Sequence, residues 1–446
     1  MPGQAKSVSN AGIRENTLVV DNGGYSIKAG FVTKVPNPHD CHIVPNCIAR
    51  DSDRKTWIGS QLDQCKDFGH MSFRRPVDRG YVVNWEGERA IWGHSLFSEN
   101  SPLQCDPHMT NLVLTEAPNC PQPLQTFCDQ IIFEEFEFAS CCRLIGSALN
   151  AYNELDTLFG NPNKAQDPQI TPAECLLVID SGYSHTTITP LIRGRPVQSA
   201  IRRIDIAGKF LTNYLKEQLS DQIIVLDETH AVDELKEQVC FVSDDFARDL
   251  DRTWMSGGQS HRPPDLSLVL DYVLPNYETV FKGYSRQHDP AAAIQRRLRA
   301  AKGLKREDDD NELVTIGTLR FSPPELLFNP ADLGMKEAGL PSAIVKCVEA
   351  MPVGLRPAML ANILLVGGSV KFPGFEDRLL RDLRQLVPSE YPVRIALPDD
   401  PVKSTWLGGA RMANNPEVLK RLLVTREDYL EHGANWTLRR FANFGG

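Results

Sequence analysis

Two distant stretches of this chain repeat one pattern. LVVDNGGYSIKAGF (Leu18 to Phe31) and LLVIDSGYSHTTITPL (Leu176 to Leu191) each pass from an apolar run into Asp, then a Gly-containing turn with a Tyr, then a second extended run. Such a segment reads as a β-hairpin, and its recurrence at the head of two long segments predicts an internal duplication. Taken singly, neither turn is specific, and a plain hairpin is the ordinary reading of each. Paired, they suggest more, because outward backbone N–H groups form anion nests and two facing nests can clamp a polyphosphate.

The Asp that ends each first strand, Asp21 and Asp180, suits Mg²⁺, which keeps several waters and is held by few carboxylates. Lys28, on the strand leaving the first turn, alternates toward the side of Asn22 and can reach a phosphate oxygen. A third apolar strand, in LLVGGSVKFPGF, runs into Gly367 and Gly368, where backbone must turn with positive φ or approach something closely. Helical stripes follow the strands: Ile206, Phe210, Leu211, Tyr214, Leu215 and Leu219, then Phe375, Leu379, Leu383 and Leu386. The class is α/β.

At 446 residues the chain is long enough for more than one core, and its net charge of −9 argues against tracking nucleic-acid phosphates with the whole surface. The 11 cysteines contain no C-x-x-C pair, so neither a zinc site nor a disulfide framework is expected, and a reducing compartment fits. No apolar stretch reaches membrane-spanning length and no signal-peptide core is visible, which predicts a soluble intracellular protein without a membrane partner. The expected organisation is a disordered tail over 1–16, a first half over 17–170 with a small outer subdomain at about 45–85, and a second half over 171–446. The linker NPNKAQDPQITP separates the halves, and the C-terminal segment returns to the first. Insertions are expected at 256–264 and 285–311, the latter irregular but carrying a helix with a stripe of Ile294, Leu298, Ala301 and Leu304 among arginines, followed by EDDDNE. That helix is either a solvated face or a docking element for an acidic partner.

The chain resembles the actin family along nearly its whole length. DNGGYSIKAGF is similar to the family's first phosphate loop, DSGYSHTTITP to its second and ILLVGGSVKFPGFEDRL to its adenosine-binding segment. GYVVNWEGERAIW, LVLTEAP, IDIAGKFLTNYL, LKEQVCFVS, PPELLFNPADLGM, STWLGGARMA and VTREDYLEHG follow in the family's order. The implied fold is that of actin, the sugar kinases and the heat-shock-70 ATPase, two duplicated halves around a nucleotide cleft. The resemblance implies ATP or ADP with Mg²⁺ as a structural cofactor. Asp21 and Asp180 would stand on the metal side. Gly23, Gly24, Lys28, Ser181 and Gly182 would face the phosphates. Gly208, Lys236, Glu237, Gly367, Gly368 and Lys403 would face the nucleoside.

IIFEEFEFASCCR, DETH (Asp227 to His230) and DYVLPNY (Asp271 to Tyr277) resemble a nuclear branch of the family. Its members are subunits of Swr-type chromatin remodellers, which exchange the histone-2A variant Z into nucleosomes. The resemblance thus implies a non-polymerising assembly and nucleosome-engagement scaffold in the nucleus, with the cytoplasm also compatible. Its partners would be other remodeller subunits, and nucleosomal histones through the complex.

Four residues depart from actin. Gly146 stands where the family places a water-orienting Gln, and Thr187 where it places an assisting His. Groups of that kind contribute roughly 10²–10⁴-fold each, so hydrolysis is expected to be very slow or absent. Tyr25 and Tyr183 stand where the family has Gly and Asp; the rings can narrow the cleft, donate hydroxyls to phosphate or pack away from it. The segment from Pro45 to Trp57 is shorter than the family's filament loop, which argues against a homopolymer. An active ATPase or kinase of the superfamily and a cytoskeletal filament protein are the competing readings.

Overall fold

The computed structural model describes residues 16–160, 172–220, 229–253, 265–302 and 313–445. The expected tail up to residue 15, the linker 161–171, Asp227 and Glu228 of DETH, the insertion 256–264 and the run from 303 to 312 with Leu304 and EDDDNE lie outside the described residues.

In the first half, β1 (Asn16–Asn22), β2 (Ser26–Phe31), β3 (His42–Pro45), β4 (Thr110–Glu116) and β5 (Ser140–Ile145) form one sheet in the order β5-β4-β1-β2-β3. β1 and β2 pair antiparallel, while β4 runs parallel to β1 and to β5. The second half repeats the scheme. β6 (Cys175–Ser181) and β7 (Thr186–Ile192) form an antiparallel hairpin, and β8 (Ile363–Val366) runs parallel to β6. Leu18, Val19 and Val20 on β1, and Leu176 to Ile179 on β6, are fully buried, so these central strands are covered on both faces and read as apolar runs rather than alternations.

Helices α1 (Gly208–Ser220), α2 (Thr229–Val239), α3 (Pro290–Ala301), α4 (Phe375–Leu386) and α5 (Ser404–Ala413) follow in chain order. Leu211, Leu215 and Leu219 of α1 join Leu379 and Leu383 of α4 in the core of the second half. α5 crosses back: Trp406 is buried against the first half and its indole N–H donates to the Val19 carbonyl at 3.2 Å. The short strand Val424–Thr425 then closes the outer edge of the first sheet by pairing with β5.

The outer subdomain is a three-stranded sheet of Ile48–Arg50, Thr56–Ile58 and Ser72–Arg74 over its own small core of Cys47, Ala49, Leu62 and Met71. Its counterpart in the second half corrects the expectation of an irregular segment from Ser285. Tyr284–Gln287 is an edge strand on Leu270–Val273. All four of its side chains are exposed, so it carries no alternating pattern to read. Asp271 fixes the segment from below: its buried carboxylate meets His288 Nδ1 at 2.8 Å, the Thr315 hydroxyl at 2.8 Å and Arg296 of α3 at 3.5 Å. The expected apolar stripe of α3 faces outward at Ile294 and Leu298, which are 59% and 57% exposed.

All 11 cysteines are free thiols, and Cys141 and Cys142 are fully buried. Among the described residues no helix is long and apolar enough to cross a membrane.

Candidate functional site: a carboxylate-lined cleft bridged by aromatic rings

The two hairpins bring their turns together over a cavity of about 560 Å³ between the halves. Asp21 pairs across its hairpin with Lys28, whose ammonium lies 3.7 Å from the Asp21 carboxylate and donates to the Ser26 carbonyl at 3.3 Å. Thr115, at the end of β4, donates its hydroxyl to Asp21 at 2.8 Å and accepts the Asn22 N–H at 3.0 Å. In the second turn the Gly182 carbonyl accepts from the Gly208 N–H at 3.1 Å and from the Ser369 hydroxyl at 3.0 Å. Gly367 has φ +97, and a Cβ there would lie 2.4 Å from the Ser181 carbonyl oxygen. Glycine is required at that position.

Asp180 is pushed up to about 7, mainly by burial and further by the charge of Asp21, with Lys28 opposing. Two carboxylates beside one ammonium make a donor set short of positive charge. Among the described residues no group of three or more His, Cys, Asp or Glu could hold a bare ion. The set fits a divalent cation that keeps much of its water.

Of the expected residues, Asp21, Gly23, Gly24, Lys28, Asp180, Gly182, Gly208, Lys236, Glu237, Gly367 and Gly368 line the cavity, as do Tyr25, Tyr183, Gly146 and Thr187. Two do not. Ser181 is fully buried, with its hydroxyl 2.9 Å from that of Thr186, because alternation along β6 turns it into the sheet. Lys403 points to the first half, where its ammonium donates to the carbonyls of Pro38 and Cys41 at 2.9 and 3.0 Å. The Lys236 ammonium is engaged too, with Asp233 at 2.5 Å and Thr212 at 2.7 Å, so its contribution to the cavity wall is its stem.

Gly146 lies against Thr115 and Thr405 and offers no side chain to orient a water. Glu116, which the sequence reading missed, lines the same cavity, but Arg143 pairs with its carboxylate and Gln125 donates to it at 2.7 Å. Thr115 was also missed, although it stands within the quoted motif LVLTEAP.

The tyrosines pack against each other across the cleft, ring centroids 5.1 Å apart at 51°. Arg75 of the outer subdomain lies over both, 4.5 Å from the Tyr25 ring and 4.9 Å from that of Tyr183. It is anchored by donating to the Tyr25 carbonyl at 2.8 Å. Burial raises the pKa of the Tyr25 phenol, and the charge of Asp233 on α2 adds to it, so this hydroxyl lies within electrostatic reach of a carboxylate of the opposite half. Gly24 lies close against the second turn, where an added Cβ would meet the Ser184 hydroxyl at 2.4 Å.

Behind the first turn, Glu88 is fully buried and accepts from Trp92 at 3.1 Å and Asn46 at 3.3 Å, while Asn46 also donates to the Gly23 carbonyl at 2.9 Å. Burial pushes the Glu88 carboxyl from 4.5 up to about 7. A raised carboxyl favours folding only while protonated, so it costs stability progressively from pH 4.5 to pH 7. Glu88→Gln is therefore expected to stabilise the protein at pH 8 by up to about 3 kcal/mol and to change little at pH 4. Denaturant midpoints at the two pH values check this; an equal effect at both would refute it.

The repeated hairpins, parallel flanking strands and carboxylate pair between the halves define a protein of the duplicated, actin-type fold. The family model described as Actin matches residues 12–442, and the chain belongs to the actin family. Within that family it is similar to proteins named actin-related protein 6. The Neurospora crassa protein is 44% identical over 430 residues, covering 96% of this chain and 94% of that protein. Actin-like protein arp6 of Aspergillus fumigatus is 43% identical over 456 residues, covering 98% and 97%. The Drosophila melanogaster protein is 36% identical over 424 residues, covering 93% and 97%.

Proposed function

We propose that this chain is a non-polymerising, nuclear subunit of a Swr-type chromatin remodeller, using a Mg²⁺-bound adenine nucleotide as a structural cofactor while it helps the complex assemble and engage nucleosomes. The observation that carries the reading is the split character of the cleft. Its metal-side carboxylates and glycine frame are present, while Gly146 and Thr187 present neither a water-orienting amide nor a base. Near-full-length similarity to proteins named actin-related protein 6 supports the branch. Asp21 and Asp180 would hold the ion through its waters, Lys28 would meet a phosphate oxygen, and the Lys236 stem, Glu237 and Gly367–Gly368 would flank the nucleoside. A bound nucleotide adds stability by mass action, roughly 4 kcal/mol at a thousandfold excess over its dissociation constant, without turnover.

The deciding experiment purifies the tagged chain from nuclear extract and identifies both companions and cofactor after denaturation. Swr-type remodeller subunits in stoichiometric amount, with about one unhydrolysed nucleotide per chain, are expected. Recovery of the chain alone would overturn the scaffold reading, and steady release of phosphate that Asp180→Asn abolishes would revive the enzyme.

A further inference from the structure

We propose that two side-chain clusters over the cleft form a latch that holds the halves together whether or not nucleotide is bound, and that this latch governs how fast nucleotide exchanges. The second clause rests on the nucleotide reading above; the first stands on the contacts alone.

The inner cluster is the Tyr25–Arg75–Tyr183 stack. Arg75 is tied to the first half by the carbonyls of Tyr25 and Asn46, at 2.8 and 3.4 Å. Its guanidinium face is thereby set against Tyr183 of the second half, a contact in which ring and cation attract directly. The Tyr25 phenol also faces the charge of Asp233 across the gap. The outer cluster lies at the edge of the outer subdomain. The Phe68 ring stacks on His230 with centroids 4.3 Å apart at 28°, and Phe73 lies 6.0 Å from the same imidazole. Phe68 also meets the Tyr277 ring at 6.3 Å.

One element receives both clusters. His230 and Asp233 are three residues apart on α2, and that spacing puts them on one face of a helix. A single helical face thus sets a carboxylate near Tyr25 of the β1–β2 turn and a ring against Phe68 of the outer subdomain. Opening the cleft would separate Tyr25 from Tyr183, Arg75 from Tyr183 and Phe68 from His230 together. None of these contacts involves a nucleotide atom, so closure is built into the side chains, and a bound nucleotide would leave only when both clusters part.

The test uses the full chain with spin labels carried by non-natural residues at exposed Asp53 and Glu278, which avoids the 11 native thiols. Pulsed electron resonance then reads the cross-cleft distance with and without Mg·ATP. The unsubstituted latch should give one narrow, identical distribution in both conditions. Arg75→Ala combined with Phe68→Ser should broaden it to longer distances without nucleotide. Release of a fluorescent ATP analogue should quicken by on the order of tenfold or more, as expected for losing several aromatic and cation–ring contacts. Tyr25→Phe, which keeps the ring and removes only the hydroxyl near Asp233, gives a smaller change in a variant little disturbed in packing. If the intact protein opens when stripped of nucleotide, or the double variant stays closed while its melting curve shows it folded, the latch is refuted. If no nucleotide binds at all, yet the intact cleft is closed and the variant open, the latch stands and the cofactor reading falls.

Discussion

Replacing Arg378 by methionine will destabilise the protein by about 3–5 kcal/mol, because it strands a buried carboxylate. Arg378, on α4, donates to both Glu325 oxygens at 2.9 and 2.8 Å, to the Ser243 carbonyl at 2.7 Å and to Asp382 at 2.7 Å. Glu325 is 1% exposed and Arg378 is 6% exposed. Without the guanidinium, Glu325 keeps the Asn329 amide at 2.5 Å, which cannot balance a full charge, and the Ser243 carbonyl loses its partner. Burial of the pair costs much of what the pair returns, so the loss comes from the orphan. The double replacement Arg378→Met with Glu325→Gln should therefore recover a large part of the stability. Equilibrium unfolding in urea measures both, and a double variant no more stable than the single one would defeat this account.

Asp180→Asn is expected to move stability in opposite directions with and without ligand. In the nucleotide-free protein the Asp180 carboxyl is raised from 3.8 to about 7, at about 1.4 kcal/mol per pH unit. The ionised group therefore costs on the order of 4 kcal/mol once the pH exceeds 7. That cost is absent below the unfolded value and grows between pH 4 and pH 7, so asparagine should stabilise the nucleotide-free protein at pH 8 and leave it unchanged at pH 3.5. On the proposed nucleotide reading, asparagine would lack the charge that faces the cation, so with Mg·ATP the sign should reverse. The shift in melting temperature on adding Mg·ATP, large in the parent, should nearly vanish in the variant. A variant less stable than the parent at pH 8 without ligand, or one that keeps the full Mg·ATP shift, would contradict the role assigned to this carboxylate.

What could be read from the sequence was what is local. The duplicated hairpins, the glycine frame at Gly367 and the helices after the apolar strands are set within a few residues, and each is found in the structure. The side chains of Ser181 and Lys403 stand off the cavity because their direction is decided by neighbours far along the chain: the sheet around β6 for one, the carbonyls of Pro38 and Cys41 for the other. Arg75 lies 50 residues from the carbonyl it grips, and Thr115 lies 94 residues from the carboxylate it holds. Nothing in the spacing announces either. The sequence shows that the two tyrosines hold matching places in the repeated turns, but only the fold shows that the duplication sets their rings against each other.

The return of α5 and Val424–Thr425 to the first sheet bears on biosynthesis. The amino-terminal half emerges from the ribosome early, yet its central strand β1 lacks the covering Trp406, and its edge strand β5 lacks Val424, until those distant residues have been made. Throughout that interval an apolar face and an unpaired strand edge stand open, the conditions under which nascent chains aggregate or recruit chaperones. Completion of the first half is thus deferred until the segment through Thr425 has been made, and a premature stop ahead of it would be felt in the part of the protein synthesised first.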